Sequence, residues 1–411
     1  MSYFVLPQVP FDINIHKRIN PTYSVSIVST PEINRTLYKY LSDIKTKIDG
    51  KDNLWDRYKK YTNPYEYIHT VVPGCKTSVC KIKPVSRSFF KMIEIMKTMR
   101  LIDDKENNIK SFHLAEGPGG FIEAIAMTRN NENDKYYGMT LLNDNDFSVP
   151  GWKKSQMLLN KHPNIEIEEG KSGTGDLMDP ENLKYCFKKY SNSCDLVTAD
   201  GGFDFTTNFN NQEAMSSKLI LCQVAFAIAC QKKGGHFFIK VFDTFTQFSL
   251  DMLYLLSCLY KQVSYLKPHT SRSANSEKYI VCKGFKMENS RNLVISLYHL
   301  IQNFSETNYL NRIFRESIPH IFVTRVEEYN AIYGQIQMEC ISHTLSIMRN
   351  INNDKLENMN KNNVQKCISW CQKHKMPFVK NALEPNRFMT RANKFVSENK
   401  EETQKNKKYT V

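Results

Sequence analysis

No two of the eleven cysteines in this chain stand in a C-x-x-C spacing. The nearest pair, Cys367 and Cys371, fall i,i+4 on one helix face. This pattern matches neither a disulfide framework nor a zinc site, and it predicts reduced thiols in a cytosolic protein with no metal centre. No charged-then-apolar leader is visible. The longest apolar run, Leu219 to Cys230, is broken by Gln223 and falls short of the roughly 20 residues a membrane span needs, which predicts a buried helix and no membrane association. No internal repeat is present. The closing stretch ENKEETQKNKKYTV lacks apolar content and is predicted to be disordered. Acidic residues are outnumbered, 42 Asp and Glu against 56 Lys and Arg, leaving a formal charge of +14. That excess points to an acidic partner, nucleic acid first, with a solvated basic surface as the plainer alternative.

What is present is an alternation of strand and helix. Residues 1 to about 30 carry little periodicity and read as an irregular arm. Thr30-Pro31-Glu32 is a helix-start signature, with helix predicted to about Ile48. Between Lys51 and Lys60, basic residues are interleaved with Trp55 and Tyr58, a mixture that suits either phosphate gripping with base stacking or an ordinary surface loop. Ser86 to Met99 is helical by pattern, and Lys91 lies in it among apolar neighbours, where a lysine ordinarily snorkels outward. Strands are predicted at Tyr136 to Leu142 and Ile165 to Ile167, with Pro180 opening a helix. Further strands follow at Asp195 to Ala199, His236 to Phe242, Gln262 to Leu266 and Lys278 to Lys283, the last pair antiparallel. Helices at about 212–232 and 247–259 separate them. The alternation predicts an α/β fold with a doubly wound, mostly parallel sheet. From Asn289 to about Leu383 the pattern turns helical and polar.

The organising stretch is FHLAEGPGGFIEAIA, Phe112 to Ala126: strand, glycine turn, helix. Glycine lets backbone approach a ligand closely, and a helix N-terminus at such a turn suits a nucleotide-like molecule. The spacing departs from G-x-G-x-x-G, and Glu116 stands before the glycines, which favours a cationic cofactor over a pyrophosphate. Asp200 ends a strand and runs into Gly201-Gly202, the edge where open α/β sheets bind ligands. Lys240 interrupts the apolar strand HFFIKVF. An unpaired ammonium is not buried for packing alone, so Lys240 requires a partner or a chemical role.

Taken together, Lys91 in SRSFFK, Asp200 in TADGG, Lys240 in FFIKVF and Glu277 in SANSEKYIV resemble, in order, the Lys-Asp-Lys-Glu tetrad of the FtsJ-like RNA 2′-O-methyltransferases. The blocks NPYEYI, GPGGF, YGMTLLNDNDF, GTGDLMDPEN, ADGGF, GGHFFIKVFDTFTQFS and SRSANSEKYIVCKGFK are similar to those of the mRNA cap 2′-O-methyltransferases that make cap 1. The resemblance covers about residues 55 to 286. It implies a Rossmann-like S-adenosylmethionine methyltransferase sheet with helices on both faces, extended by helical segments at each end. The corresponding division is an arm and helix at 1–60, the methyltransferase domain at 61–287, a helical extension at 288–385 and a basic tail at 386–411.

The resemblance also implies S-adenosyl-L-methionine as cofactor and capped RNA as substrate, methylated on the ribose 2′-hydroxyl of the first transcribed nucleotide. Alternatives are another RNA, the second cap nucleotide, or a non-catalytic RNA-binding module that kept the fold. Cofactor contacts carried over fall on Glu116, Gly117, Pro118, Gly119, Gly120, Phe121 and Asp176. Substrate contacts fall on Lys59, Asn210, Asn211, Gln212 and Asn275, and an aromatic cap pocket is sought among Trp55, Tyr58, Tyr61 and Trp152. In-line methyl transfer needs alignment of oxygen, methyl and sulfur and removal of one proton. A lysine accepts that proton only when neutral, and free lysine titrates near ~10.4. Burial, the Lys91 ammonium and a bound sulfonium would all favour neutral Lys240, while Asp200 and Glu277 would orient the two lysines. The composition lacks a basic nuclear-type cluster upstream of the tail, placing cytoplasm ahead of nucleus.

Overall fold

The computed structural model describes residues 3–27, 30–102, 107–143, 146, 149–203, 210–380 and 382–383. In chain order the first elements are β1 (Tyr3–Val5), β2 (Ile19–Ser24), α1 (Arg35–Thr46), α2 (Asp52–Thr62), α3 (Ser88–Met99), β3 (Lys110–Leu114) and α4 (Gly120–Arg129). Then come β4 (Lys135–Met139), α5 (Gln156–Lys161), β5 (Ile165–Ile167), α6 (Pro180–Tyr190), β6 (Cys194–Ala199), α7 (Gln212–Cys230) and β7 (Gln231–Val241). The remainder are α8 (Gln247–Leu259), β8 (Tyr260–Leu266), β9 (Lys278–Phe285), α9 (Arg291–Asn303), β10 (Tyr309–Phe314), α10 (His320–Arg349) and α11 (Asn353–Lys373).

Eight strands form one sheet in the order β1-β8-β9-β7-β6-β3-β4-β5. Strands β5, β4, β3, β6 and β7 run parallel, whereas β9 is antiparallel to both β7 and β8. Strands β3 and β6, in the middle of the sheet, are buried along nearly their whole length because both sheet faces are covered. Along β7, Phe237 and Ile239 join the core that includes α7 and α8, while Phe238 points the other way onto Phe121 of α4, ring centroids 5.1 Å apart. That alternation is the period of two that a pleated strand imposes. Helix α7 is long and apolar enough by composition to cross a membrane, but 83% of its apolar window is buried inside the fold, as a core helix requires.

The structure departs from the sequence reading at several elements. The N-terminal arm is not irregular: β1 pairs with β8, and β2 pairs with β10 in a separate two-stranded sheet. β10 in turn interrupts the stretch read as wholly helical. α1 starts at Arg35 rather than Pro31, because Asn34 takes a left-handed conformation (φ +49°) that breaks the helical path, and the Glu32 and Ile33 amides ahead of it donate to the Phe245 carbonyl at 2.7 and 3.2 Å. Residues 52–62 form a helix, with Trp55 and Tyr58 turned inward. The strand expected to reach Leu142 ends at Met139. The predicted tail lies outside the described residues.

Contacts divide the chain into two compact units that do not follow the four consecutive segments expected. The first comprises residues 1–50 and 84–342 and contains both sheets. The second comprises 51–83 and 343–411, in which α11 packs against α2 and the 3-10 turn Glu66–Ile68. Its halves are stitched by backbone bonds from Lys81 to Pro377 and from Val379 to Val79, both 2.9 Å. All eleven cysteines are free thiols.

Candidate active site

The carboxyl ends of β3, β6 and β7 lie side by side, with Leu114 paired to Ala199 and Ala199 to Ile239. Because β9 runs the opposite way, its N-terminal end arrives at that same edge, pairing Tyr279 with Lys240 and Lys278 with Val241. Register partners share a face, so Lys240 and Tyr279 project together toward α3 and α4. Lys91 meets them from α3, whose close approach depends on Gly120: a Cβ there would stand 2.2 Å from the Ser88 hydroxyl and 2.3 Å from that of Ser86.

Four side chains and one unforeseen tyrosine form a continuous network. Lys91 Nζ lies 2.7 Å from Glu277 Oε1 and donates to Oε2 at 2.8 Å and to the Tyr279 hydroxyl at 3.3 Å. The Tyr279 hydroxyl donates to Asp200 Oδ1 at 3.1 Å. Lys240 Nζ donates to the Asp200 carbonyl at 2.7 Å and stands 3.3 Å from Oδ1. Lys91 does not snorkel outward; it is 6% exposed. Burial, reinforced by Arg87 and Lys240 and opposed by Glu277 and Asp200, pushes its ammonium below the ordinary lysine value. Burial alone would raise the Glu277 carboxyl, but Lys91, Lys240 and Lys267 outweigh it and hold the group well below the usual carboxylate range. Burial drives the Tyr279 hydroxyl well up, with Asp200 and Glu277 adding to it, so it is a neutral donor.

A cavity of about 390 Å³ opens against this network. Ser86, Arg87, Lys91, Ala115, Glu116, Gly117, Pro118, Asp200, Arg272, Asn275 and Glu277 are among its walls, and Lys240 stands directly behind Asp200. The volume falls within the range of small-molecule sites. Three carboxylates, Glu116, Asp200 and Glu277, and three cations, Arg87, Lys91 and Arg272, line it, a mixed set that suits a ligand carrying positive groups together with a carboxylate.

The glycine turn is held more tightly than its sequence suggests. Glu116 Oε1 accepts the Ile122 amide at 2.7 Å, and Oε2 lies 3.0 Å from both the His113 ring and the Thr198 hydroxyl, so the carboxylate caps α4 and ties β3 to β6. A Cβ on Gly117 would meet the Gly151 carbonyl at 2.4 Å. Gly119 has φ +97°, a conformation that favours glycine, and faces Trp152 and Leu158. Phe121 is fully buried on Phe238 and Tyr279 and is a core residue, because the first turn of α4 faces the sheet. Asp176 sits on a turn, accepting the Met178 amide at 2.8 Å, and is not among the residues that line the cavity.

Of the substrate candidates, Asn275 lines the cavity and Gln212, at the start of α7, accepts the Ser276 hydroxyl. Asn211 stands at the N-cap of α7 with no side-chain cap bond, and Asn210 precedes it. Lys59 belongs to the second unit and pairs with Asp56. Trp55 and Tyr58 are 8% and 3% exposed, so these two rings are not open for base stacking; they are core residues of the second unit.

Two further residues shape the site. Lys267 donates to the Asn275 carbonyl and side chain at 2.8 and 2.7 Å and to the Glu277 carbonyl at 2.6 Å. Although the residue is only half-buried, burial of its amine, offset in part by Glu277, pushes it down to about 7. Glu94, one turn after Lys91, accepts the His269 and Thr270 amides at 2.9 and 3.1 Å. Helix α3 thus supplies Lys91 and anchors the loop that supplies Glu277. The signal for Lys267 was the one that flagged Lys240, a lysine closing an apolar strand. For Glu94 it was an acid inside MIEIM.

Residues 84–285 match the family model described as FtsJ-like methyltransferase. These residues form an FtsJ-like methyltransferase domain. The domain holds all four tetrad residues and the whole cavity lining. The chain is 38% identical over 196 residues to cap-specific mRNA (nucleoside-2′-O-)-methyltransferase 1A of Caenorhabditis briggsae, covering 46% of this chain and 22% of that protein. It is 35% identical over 251 residues to cap-specific mRNA (nucleoside-2′-O-)-methyltransferase 1 of Homo sapiens, covering 58% and 29%. An inactive cap-specific mRNA (nucleoside-2′-O-)-methyltransferase 1B of C. briggsae is 36% identical over 199 residues, covering 47% and 23%. The matches therefore span less than a third of these relatives' own length.

Proposed function

We propose that this chain methylates the ribose 2′-hydroxyl of the first transcribed nucleotide of capped RNA, using S-adenosyl-L-methionine. The observation that carries the reading is the buried network joining Lys91, Asp200, Lys240 and Glu277 through Tyr279 beside the cavity. Similarity alone does not decide activity, since an inactive relative is matched nearly as well as the active ones.

When bound, the cofactor supplies an electrophilic methyl group on a positively charged sulfur. Its amino-acid end is assigned to the Ala115–Pro118 backbone and the neighbouring carboxylates, which line the cavity. The 2′-hydroxyl is assigned to the space between Lys91 and Asp200. Lys240, held by the Asp200 carbonyl, accepts the proton, and Lys91 steadies the oxygen while Glu277 fixes Lys91. Oxidation states do not change: a methyl group passes to oxygen and a proton to nitrogen.

The test is methyl transfer to matched capped and uncapped RNAs. Product on capped RNA alone is expected; equal labelling of both would overturn the substrate assignment, and tight binding of both without product would favour a non-catalytic RNA-binding module. Lys240→Ala is expected to lower kcat by about 10²–10⁴-fold while changing cofactor Kd little, because proton removal and cofactor binding use different residues. A cofactor Kd weakened as much as kcat would show that Lys240 serves binding instead.

A further inference from the structure

The formal charge is divided unevenly. Residues 51–83 and 343–411, the second unit, hold twenty-one Lys and Arg against nine Asp and Glu, so this quarter of the chain carries +12 of the net +14. The unit that contains the site is nearly neutral.

Within that unit, α11 and the residues after it to Leu383 hold six lysines against two carboxylates, +4 of the +12. No carboxylate occurs from Asn358 to Leu383. Val364, Cys367, Trp370 and Cys371 face inward on α11, which leaves Asn362, Gln365, Lys366, Ser369, Gln372 and Lys373 along its exposed side, with Lys375 following. Lys361 is paired with Glu357 at 3.0 Å, whereas Lys366, Lys373 and Lys375 have no carboxylate partner among the described residues. Lys366 and Lys373 stand two turns apart and Lys375 follows the helix end, a spacing that spreads the three charges along one side.

We infer that the exposed lysine and amide face of α11 is a binding surface for the phosphodiester backbone of single-stranded RNA. Lysines neutralise phosphates, and interleaved Asn, Gln and Ser side chains donate to phosphate and sugar oxygens without reading bases. A membrane surface fits less well, because α11 exposes no large hydrophobic side chain to enter the headgroup layer. The inference rests on the proposed function for the identity of the polyanion: the RNA gripped here is the body of the transcript whose first nucleotide is methylated. Such a grip is independent of sequence and of the cap.

The full chain and a Lys366→Glu/Lys373→Glu/Lys375→Glu variant are compared by fluorescence anisotropy with an uncapped 20-nucleotide single-stranded RNA across a salt series. A Lys→Gln version of the same three positions and a thermal midpoint for each protein guard against misfolding. At about 0.1 M salt the Glu variant is expected to bind at least tenfold more weakly. The slope of log affinity against log salt should fall by about 2 in the Gln variant, since each neutralised phosphate contributes about 0.7 on a single strand. Affinity and slope unchanged within twofold would overturn the inference, as would wild-type protein that does not bind the RNA. So would polyglutamate, or vesicles containing phosphatidylserine, competing as well as RNA. Because the probe has no cap and no methyl transfer is read, intact binding by a protein that never methylates capped RNA would sink the proposed function alone.

Discussion

The Tyr279 hydroxyl receives a hydrogen bond from Lys91 and gives one to Asp200, so one neutral group keeps an ammonium and a carboxylate in register without joining them as a direct ion pair. It is not among the residues that line the cavity, and its role is positioning. Tyr279→Phe keeps the ring that packs on Phe121 and Phe238 and removes only the bridge. A hydrogen bond to a charged group contributes about 1.5–3 kcal/mol, so kcat is expected to fall about ten- to a hundredfold, with KM nearly unchanged. A purely structural tyrosine would shift Tm and leave kcat alone. Lys240 was legible in the sequence because an ammonium in an apolar strand violates a simple rule, whereas Lys91, on a helix face where a lysine ordinarily snorkels outward, was singled out only by the resemblance. Tyr279 was not, because a tyrosine in a strand looks like any core residue until its register partner is known.

At the level of elements, the ends of β7 and β9 are pinned from the sheet's other side. Asp243, just beyond β7, accepts Lys45 of α1 at 2.9 Å and Lys278 of β9 at 3.2 Å, and all three are buried. Burial would raise the Asp243 carboxyl, but the two ammoniums bring it down to about 2. A folded value below the ordinary one means the carboxylate's contribution is complete above about pH 4 and is lost as pH falls through about 2. Asp243→Asn leaves two buried ammoniums without a counter-charge and is expected to destabilise by about 3–5 kcal/mol at neutral pH. Urea unfolding should show the gap closing toward pH 2, and a gap independent of pH would contradict the assignment. The strand and helix alternation was readable because each of those elements carries its own period. β1 and β2 were not, because their partners β8 and β10 lie hundreds of residues away and nothing local marks the pairing.

For the whole molecule, the second unit is assembled from two segments, 51–83 and 343–411, that lie on either side of β3 to β10 in sequence. Its core closes only when α11 covers α2 and the Glu66–Ile68 turn. A chain cut after Ser342 should keep a cooperative transition from the first unit yet bind ANS and be cleaved by protease within residues 51–83, where Trp55, Tyr58, Tyr67 and Ile68 lose their cover. Protease resistance equal to that of the full chain would show that these residues fold without α11.

The reversed direction of β9 reaches further than sheet bookkeeping. The strand has eight residues, roughly 26 Å at about 3.3 Å each. Had it run alongside its neighbours, an acid placed just ahead of it would sit at the far rim, beyond the grasp of any lysine on α3. A single flip in strand polarity therefore lets a short hairpin-side loop deliver the fourth member of the quartet, where a parallel strand would have demanded a full crossover helix to bring a carboxylate to the same rim.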